Sequence, residues 1–171
     1  MDTAYVETTV VGNIAGRLHS DPLVAARQTI SRKWWANAAQ TYRLFVSELV
    51  IDECSAGDPN AANERLTVIE GIELLDTSDA VEELADALVA NGAMPASQPR
   101  DAFHIAISAV HGVQYLVTWN FKHIANPTLQ IRIASVCRDN GFEPPVICTP
   151  EQLLEAENDS NSDGRNPSDP T

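Results

Sequence analysis

Four residue pairs punctuate the chain as helix starts: Asp21-Pro22, Asp58-Pro59, Asn126-Pro127 and Thr149-Pro150. Each sets a capping side chain before a proline, whose fixed φ and missing N–H suit the first helical turn. Short β-branched and aromatic runs lie between the helical patterns. Tyr42–Val46, Ile72–Leu75, Val113–Thr118 and Val146–Cys148 read as strands, and the run Ala4–Val11, broken by Glu7, reads as the first of them. Ser47 can cap a helix that stops near Gly57, and a helix from about Ser78 ends at Gly92. Arg100–His111 is apolar nearly all round and reads as a buried helix closed by Gly112. Thr149-Pro-Glu-Gln152 resembles a capping box. Strands alternating with helices imply an α/β fold with a mostly parallel sheet of four or five strands, covered on both faces.

Residues 1–155 are expected to form one domain, since a chain of 171 residues with 44% hydrophobic content can bury a real core. From about Asn158 the composition turns to Asn, Ser, Asp, Gly and Pro, and residues 156–171 read as a disordered, acidic and polar tail. No apolar run approaches the ~20 residues that span a bilayer, and no basic region followed by an apolar stretch opens the chain. Cys54, Cys137 and Cys148 are scattered and without paired metal spacing, so they read as buried small hydrophobes in a reduced, cytoplasmic setting.

Ligands of parallel sheets bind outside the carboxyl ends of the strands. Glu7 and Asn120 fall at or near such ends. Asp101 opens the buried helix, and Glu53 lies almost two turns into the helix after the second strand. Three carboxylates and an amide meeting in one crevice make a hard-oxygen site suited to Mg²⁺ or Mn²⁺. Each residue also has a plainer role: Asp101 as a helix cap, Glu7 as a solvated strand end, Glu53 as an exposed helix residue, Asn120 as a turn former. Spacing singles out Glu53 among its acidic neighbours. It borders the stripe Ser47, Val50, Cys54, whereas Asp52 points away. Thr8 and Thr118 are candidates to hydrogen-bond a carboxylate or a phosphate, and His123 to contact a substrate phosphate. His104 and His111 lie too far apart for a two-histidine zinc pair, and read as packing or hydrogen-bonding residues.

The net charge of −13 argues against a simple nucleic-acid coat protein. Its distribution is uneven. Arg17, Arg27, Arg32, Lys33 and Arg43 face one acid, Asp21, across residues 17–43, whereas residues 48–86 carry twelve acids and only Arg65. Arg32 and Lys33 are thus candidate phosphate contacts. Trp34 and Trp35 cannot both face the core, so one of them is a candidate to stack on a base. No Gly-x-Gly-x-x-Gly, Walker-type or Gly-x-Ser-x-Gly motif is present.

At Tyr5-Val-Glu-Thr-Thr9, Ser47-Glu-Leu-Val-Ile-Asp-Glu53, Arg100-Asp-Ala-Phe-His-Ile-Ala106 and Leu116-Val-Thr-Trp-Asn-Phe-Lys-His123 the sequence resembles the PIN-domain ribonucleases. Within them it resembles the VapC-type toxins of bacterial toxin–antitoxin pairs. The resemblance covers about residues 4–150. It implies a three-layer α/β/α sandwich, Mg²⁺ or Mn²⁺ dependence and endonucleolytic cleavage of RNA. Glu7, Glu53 and Asp101 match the family's acidic metal-binding positions, and Asn120 the place where a fourth acid often stands. Glu7 is one methylene longer than the usual aspartate, and Asn120 carries no charge. The expected activity is water attack on the phosphodiester, with Asn120 orienting the water. RNA, an antitoxin protein and a second copy of the chain are the expected partners. The rival reading is a catalytically weak RNA-binding or regulatory module.

Overall fold

The computed structural model describes residues 1–162, with side chains described to residue 159. The elements run β1 (Asp2–Val6), α1 (Thr8–Ile14), α2 (Pro22–Thr41), β2 (Tyr42–Ser47), α3 (Glu48–Cys54), α4 (Pro59–Val68), β3 (Glu73–Leu75), α5 (Asp79–Ala90), α6 (Pro99–Val110), β4 (Tyr115–Val117), α7 (Pro127–Asp139), β5 (Val146–Cys148) and α8 (Pro150–Ser162). All strand pairings are parallel, in the order β3-β2-β1-β4-β5. Helices α1–α4 and α8 pack with one another, and α5–α7 pack together as a second group. Right-handed crossovers put these groups on opposite faces of the sheet, giving three layers. No helix among the described residues is long and apolar enough to cross a membrane.

The proline-marked starts hold. Asp21 Oδ1 accepts from the N–H groups of Leu23 and Val24, Asp58 caps α4, and Asn126 caps α7. At α8, Gln152 Oε1 accepts from Thr149 N–H at 2.9 Å while Thr149 Oγ1 accepts from Gln152 N–H at 3.2 Å, a reciprocal capping box.

Two boundaries differ from expectation. The first strand ends at Val6, and the β-branched run Thr8-Thr9-Val10-Val11 is helical. Glu7 stops the strand by acting as N-cap, its carboxylate accepting from Thr9 N–H. Glutamate is not among the favoured N-cap residues, so the run keeps its strand-like look in sequence. At the other end, α8 continues to Ser162, past the expected domain end at 155, and the Tyr42 hydroxyl donates to Glu157 Oε1 at 3.0 Å. The remainder of the expected tail, 163–171, lies outside the described residues.

The core runs along both faces of the sheet and includes Tyr5, Trp34, Ile105, Ile107, Leu116, Ile124 and Ile133. All three cysteines are free and buried. Burial pushes the thiols of Cys54 and Cys137 up to about 11 and that of Cys148 up to about 12.

Candidate active site

The strand order reverses direction between β1 and β4. From β1 the chain moves outward to β2 and β3, then crosses back to β4 and β5. The crevice outside the carboxyl ends of such a pair is where ligands bind in open parallel sheets. Glu7 follows β1 and Thr118 follows β4, and they meet across this point. Thr118 Oγ1 donates to Glu7 Oε2 at 2.7 Å, and Thr9 Oγ1 donates to the same oxygen. Thr9 Oγ1 in turn accepts from Trp119 N–H at 2.9 Å, so the threonines tie the two strand ends to one carboxylate. Glu7 is only 3% exposed, far from the solvated strand end that its position also allowed.

Glu53 reaches the same place from α3. Its Oε1 accepts from Thr8 Oγ1 at 2.9 Å and from His104 Nε2 at 2.7 Å. The same imidazole nitrogen lies 4.0 Å from Glu7 Oε1, so both carboxylates stand around one histidine. A carboxylate cannot donate, which assigns the proton to His104 Nε2. On the far side of the ring, Nδ1 hydrogen-bonds the Tyr5 hydroxyl at 2.9 Å, and that hydroxyl hydrogen-bonds Ser47 Oγ at 2.7 Å. Burial raises the Tyr5 pKa far above the ordinary phenol value, so the group remains a donor. Burial alone would raise the Glu53 pKa. The hydrogen bond and charge of His104, the Thr8 hydroxyl and the nearby Arg100 outweigh it and hold the carboxyl below the usual glutamate value.

Asp101 sits in the first turn of α6, one helical turn before His104 and on the same face. It is not the helix cap: Gln98 holds that position and makes no side-chain cap bond. Asp101 Oδ2 instead pairs with His123 Nδ1 at 2.8 Å. Asn120 occupies the turn after β4. Its N–H donates to Thr118 Oγ1 at 2.9 Å, and its Oδ1 accepts from His123 N–H at 3.1 Å. The amide oxygen therefore shapes the turn that carries His123. Glu7, Thr118, Asn120, His123 and Asp101 form one hydrogen-bonded sequence, and His104, Glu53 and Thr8 form a second beside it.

Thr8 and Thr118 thus each hydrogen-bond a carboxylate. Sequence reasoning missed Thr9, Tyr5, Ser47, the carboxylate contact of His104 and the pairing of His123 with Asp101. The last two contacts join residues 51 and 22 positions apart, beyond the reach of local pattern. Arg32 does not reach the crevice freely. Its Nε donates to Ile14 O at 3.0 Å and its Nη2 to Gly16 O at 2.7 Å, closing the end of α1. Lys33 is exposed. Trp34 is buried and Trp35 packs against the core, so neither tryptophan is a free stacking surface. A cavity of about 450 Å³ between α4 and β3, lined by Val46, Ile51, Leu66 and Ile72, touches none of the acids in this cluster.

The donor chemistry suits a hard divalent cation. Glu53 Oε2 and Asp101 Oδ1 accept no hydrogen bond within the described residues, and Glu7 Oε1 accepts one, from Thr9 N–H at 3.2 Å, leaving a lone pair spare. Oxygen donors on two glutamates and an aspartate are the ligand type Mg²⁺ and Mn²⁺ prefer. As placed, however, no three acidic, histidine or cysteine side chains among the described residues stand close enough together to hold an ion. Ligation needs the carboxylates to draw inward.

A scan against protein-family models gives no match to this chain, and a search of curated proteins gives none either.

Proposed function

We propose that the protein is a metal-dependent endoribonuclease. The observation that carries this reading is Glu7, a buried carboxylate held by two threonine hydroxyls at the point where the sheet order reverses, with Glu53 beside it on a shared histidine. Burying such charge is costly unless hydrogen bonds or a cation meet it. Glu7, Glu53 and Asp101 would hold Mg²⁺ or Mn²⁺, which when bound neutralises charge on the phosphodiester and eases deprotonation of the attacking water. His104 fixes Glu53, and the Tyr5–Ser47 pair behind it fixes the ring. His123 gives one nitrogen to Asp101, leaving Nε2 for a substrate phosphate oxygen. The resemblance to PIN-domain ribonucleases supplies RNA as the substrate and a toxin–antitoxin pairing as the setting. A small protein encoded next to this chain that co-purifies with it and suppresses cleavage would support that setting.

The second reading is an RNA-binding module with weak or no catalysis. It draws on Asn120, whose amide oxygen already accepts from His123 N–H and brings no charge to the site. Cleavage of single-stranded RNA with Mg²⁺ or Mn²⁺, abolished by EDTA, separates the two readings. Asn120→Asp keeps an acceptor for His123 N–H and adds a charge, so metal binding is expected to tighten and cleavage to persist or rise. If neither wild type nor Asn120→Asp cuts RNA with Mn²⁺ present, while both stay folded and bind RNA, the nuclease reading fails.

A further inference from the structure

Beyond the acid cluster, the turn after β4 carries a feature the cleavage chemistry does not use. Phe121 is 46% exposed, one residue past Asn120 and two before His123. The Arg27 guanidinium stands 5.2 Å from the Phe121 ring centre and 5.6 Å from that of Trp119. Trp119 packs edge-on against Phe121, with ring centres 6.0 Å apart, and its indole N–H donates to Ser31 Oγ at 2.8 Å. Trp119 is therefore a fixed wall, and Phe121 is the face left open.

The Arg27 side chain forms no ion pair or hydrogen bond among the described residues, although acids outnumber bases 24 to 11 in the chain. In such a chain, a guanidinium parked on two aromatic rings keeps its N–H donors for something else. Arg100, which acts on Glu53, and Lys122 are both exposed and stand directly before Asp101 and His123 in the chain. Basic side chains borne by the same segments as the acids suit a polyanion passing a cation site.

We propose that Phe121 and Arg27 form a nucleotide subsite of single-stranded RNA, with a base stacked on Phe121 and a neighbouring phosphate on Arg27. This rests on the ribonuclease reading for its substrate class. A flexible single strand fits because its bases are free to splay onto an aromatic face, whereas a duplex keeps them stacked. The subsite reads stacking more than base identity, so it fixes where the strand lies and leaves sequence choice to other contacts.

The test is equilibrium binding of a short labelled oligoribonucleotide in EDTA, where no turnover occurs, alongside an abasic ribose-phosphate strand of equal length. Phe121→Ala is expected to weaken binding of the base-bearing strand by about tenfold and leave the abasic strand unchanged. Phe121→Trp is expected to restore affinity. Arg27→Gln should weaken both strands and lower the salt slope by about 0.7. Unchanged affinity for Phe121→Ala, or equal loss on both strands, overturns the subsite while leaving the nuclease reading intact. If wild type binds neither strand and cuts no RNA with metal supplied, the nuclease reading fails and takes the subsite with it.

Discussion

At the amino end of the sheet, Trp34 packs at a tilt against Trp35 and Tyr42, with ring centres at 6.0 and 6.3 Å, and Tyr42 meets Tyr115 edge-on at 5.8 Å. At the carboxyl end, Glu7, Ser47, His104 and Thr118 are buried instead. The two ends handle polarity in opposite ways. The aromatic end leaves the buried Trp34 Nε1 without a hydrogen-bond partner, an orphan found nowhere else among the described side chains. The acidic end partners every buried polar atom, some of them twice. Rings tolerate one unmet N–H because apolar contact dominates there. A buried carboxylate has no such margin, and its oxygens must be met by fixed donors. Apolar ring packing dominates one end, and hydrogen-bonded carboxylates dominate the other.

The sharpest way to break this contrast is one substitution at each end. Asp101→Asn is expected to abolish metal-dependent cleavage while the unfolding midpoint barely moves. Trp34→Ala is expected to cost about 3–5 kcal/mol of stability while cleavage per folded molecule persists. Paired denaturant melts and single-turnover assays check both, and a Trp34→Ala protein that is stable but inactive would erase the division.

His104→Ala tests the boundary between the two roles, because His104 is fully buried yet touches Glu53. It strands Tyr5 and Glu53 together, so a stability loss of about 1–3 kcal/mol is expected. Metal affinity, read by calorimetric titration, is expected to fall by about 10–100-fold. An unchanged affinity would make His104 a packing residue only.

Glu53 gives a smaller, pH-dependent effect. Its folded pKa lies below its unfolded value, so its contribution is present above the ordinary glutamate range and is lost as pH falls through the depressed value. Metal-free wild type should therefore lose stability relative to Glu53→Gln on acidification below that range. Parallel melting curves for the two proteins would contradict the shift. The smallest effect is expected at the aromatic end, where Tyr42→Phe removes the hydrogen bond to Glu157 and costs about 0.5–1.5 kcal/mol, measured as a shift in denaturant midpoint.

Much of the scaffold was legible because its signals are local. The Asx-Pro starts and the Thr149–Gln152 box report backbone geometry within three or four residues, and they located the starts of these helices to within a residue. The first strand was overextended because Thr8, Thr9, Val10 and Val11 carry strand propensity, while packing in α1 decided otherwise. Asp101 and His123, or Glu53 and His104, meet only through tertiary contact between distant elements, so composition and spacing named the acids without naming their partners. Arg32 shows the same limit from the other side. A basic residue in a basic segment looked available for phosphate, and the backbone carbonyls of Ile14 and Gly16 had already taken it.

The three thiols give the molecule a built-in clock. Cys54 sits in α3 beside Glu53, Cys137 in α7 on the opposite layer, and Cys148 in the edge strand β5. Burial keeps each protonated and shielded, so an alkylating reagent reaches them only when the surrounding structure opens. The rate at which each is modified therefore reports the opening of its own layer. A ligand that draws α3 and β1 together should slow Cys54 far more than Cys137, whether or not any bond is cut.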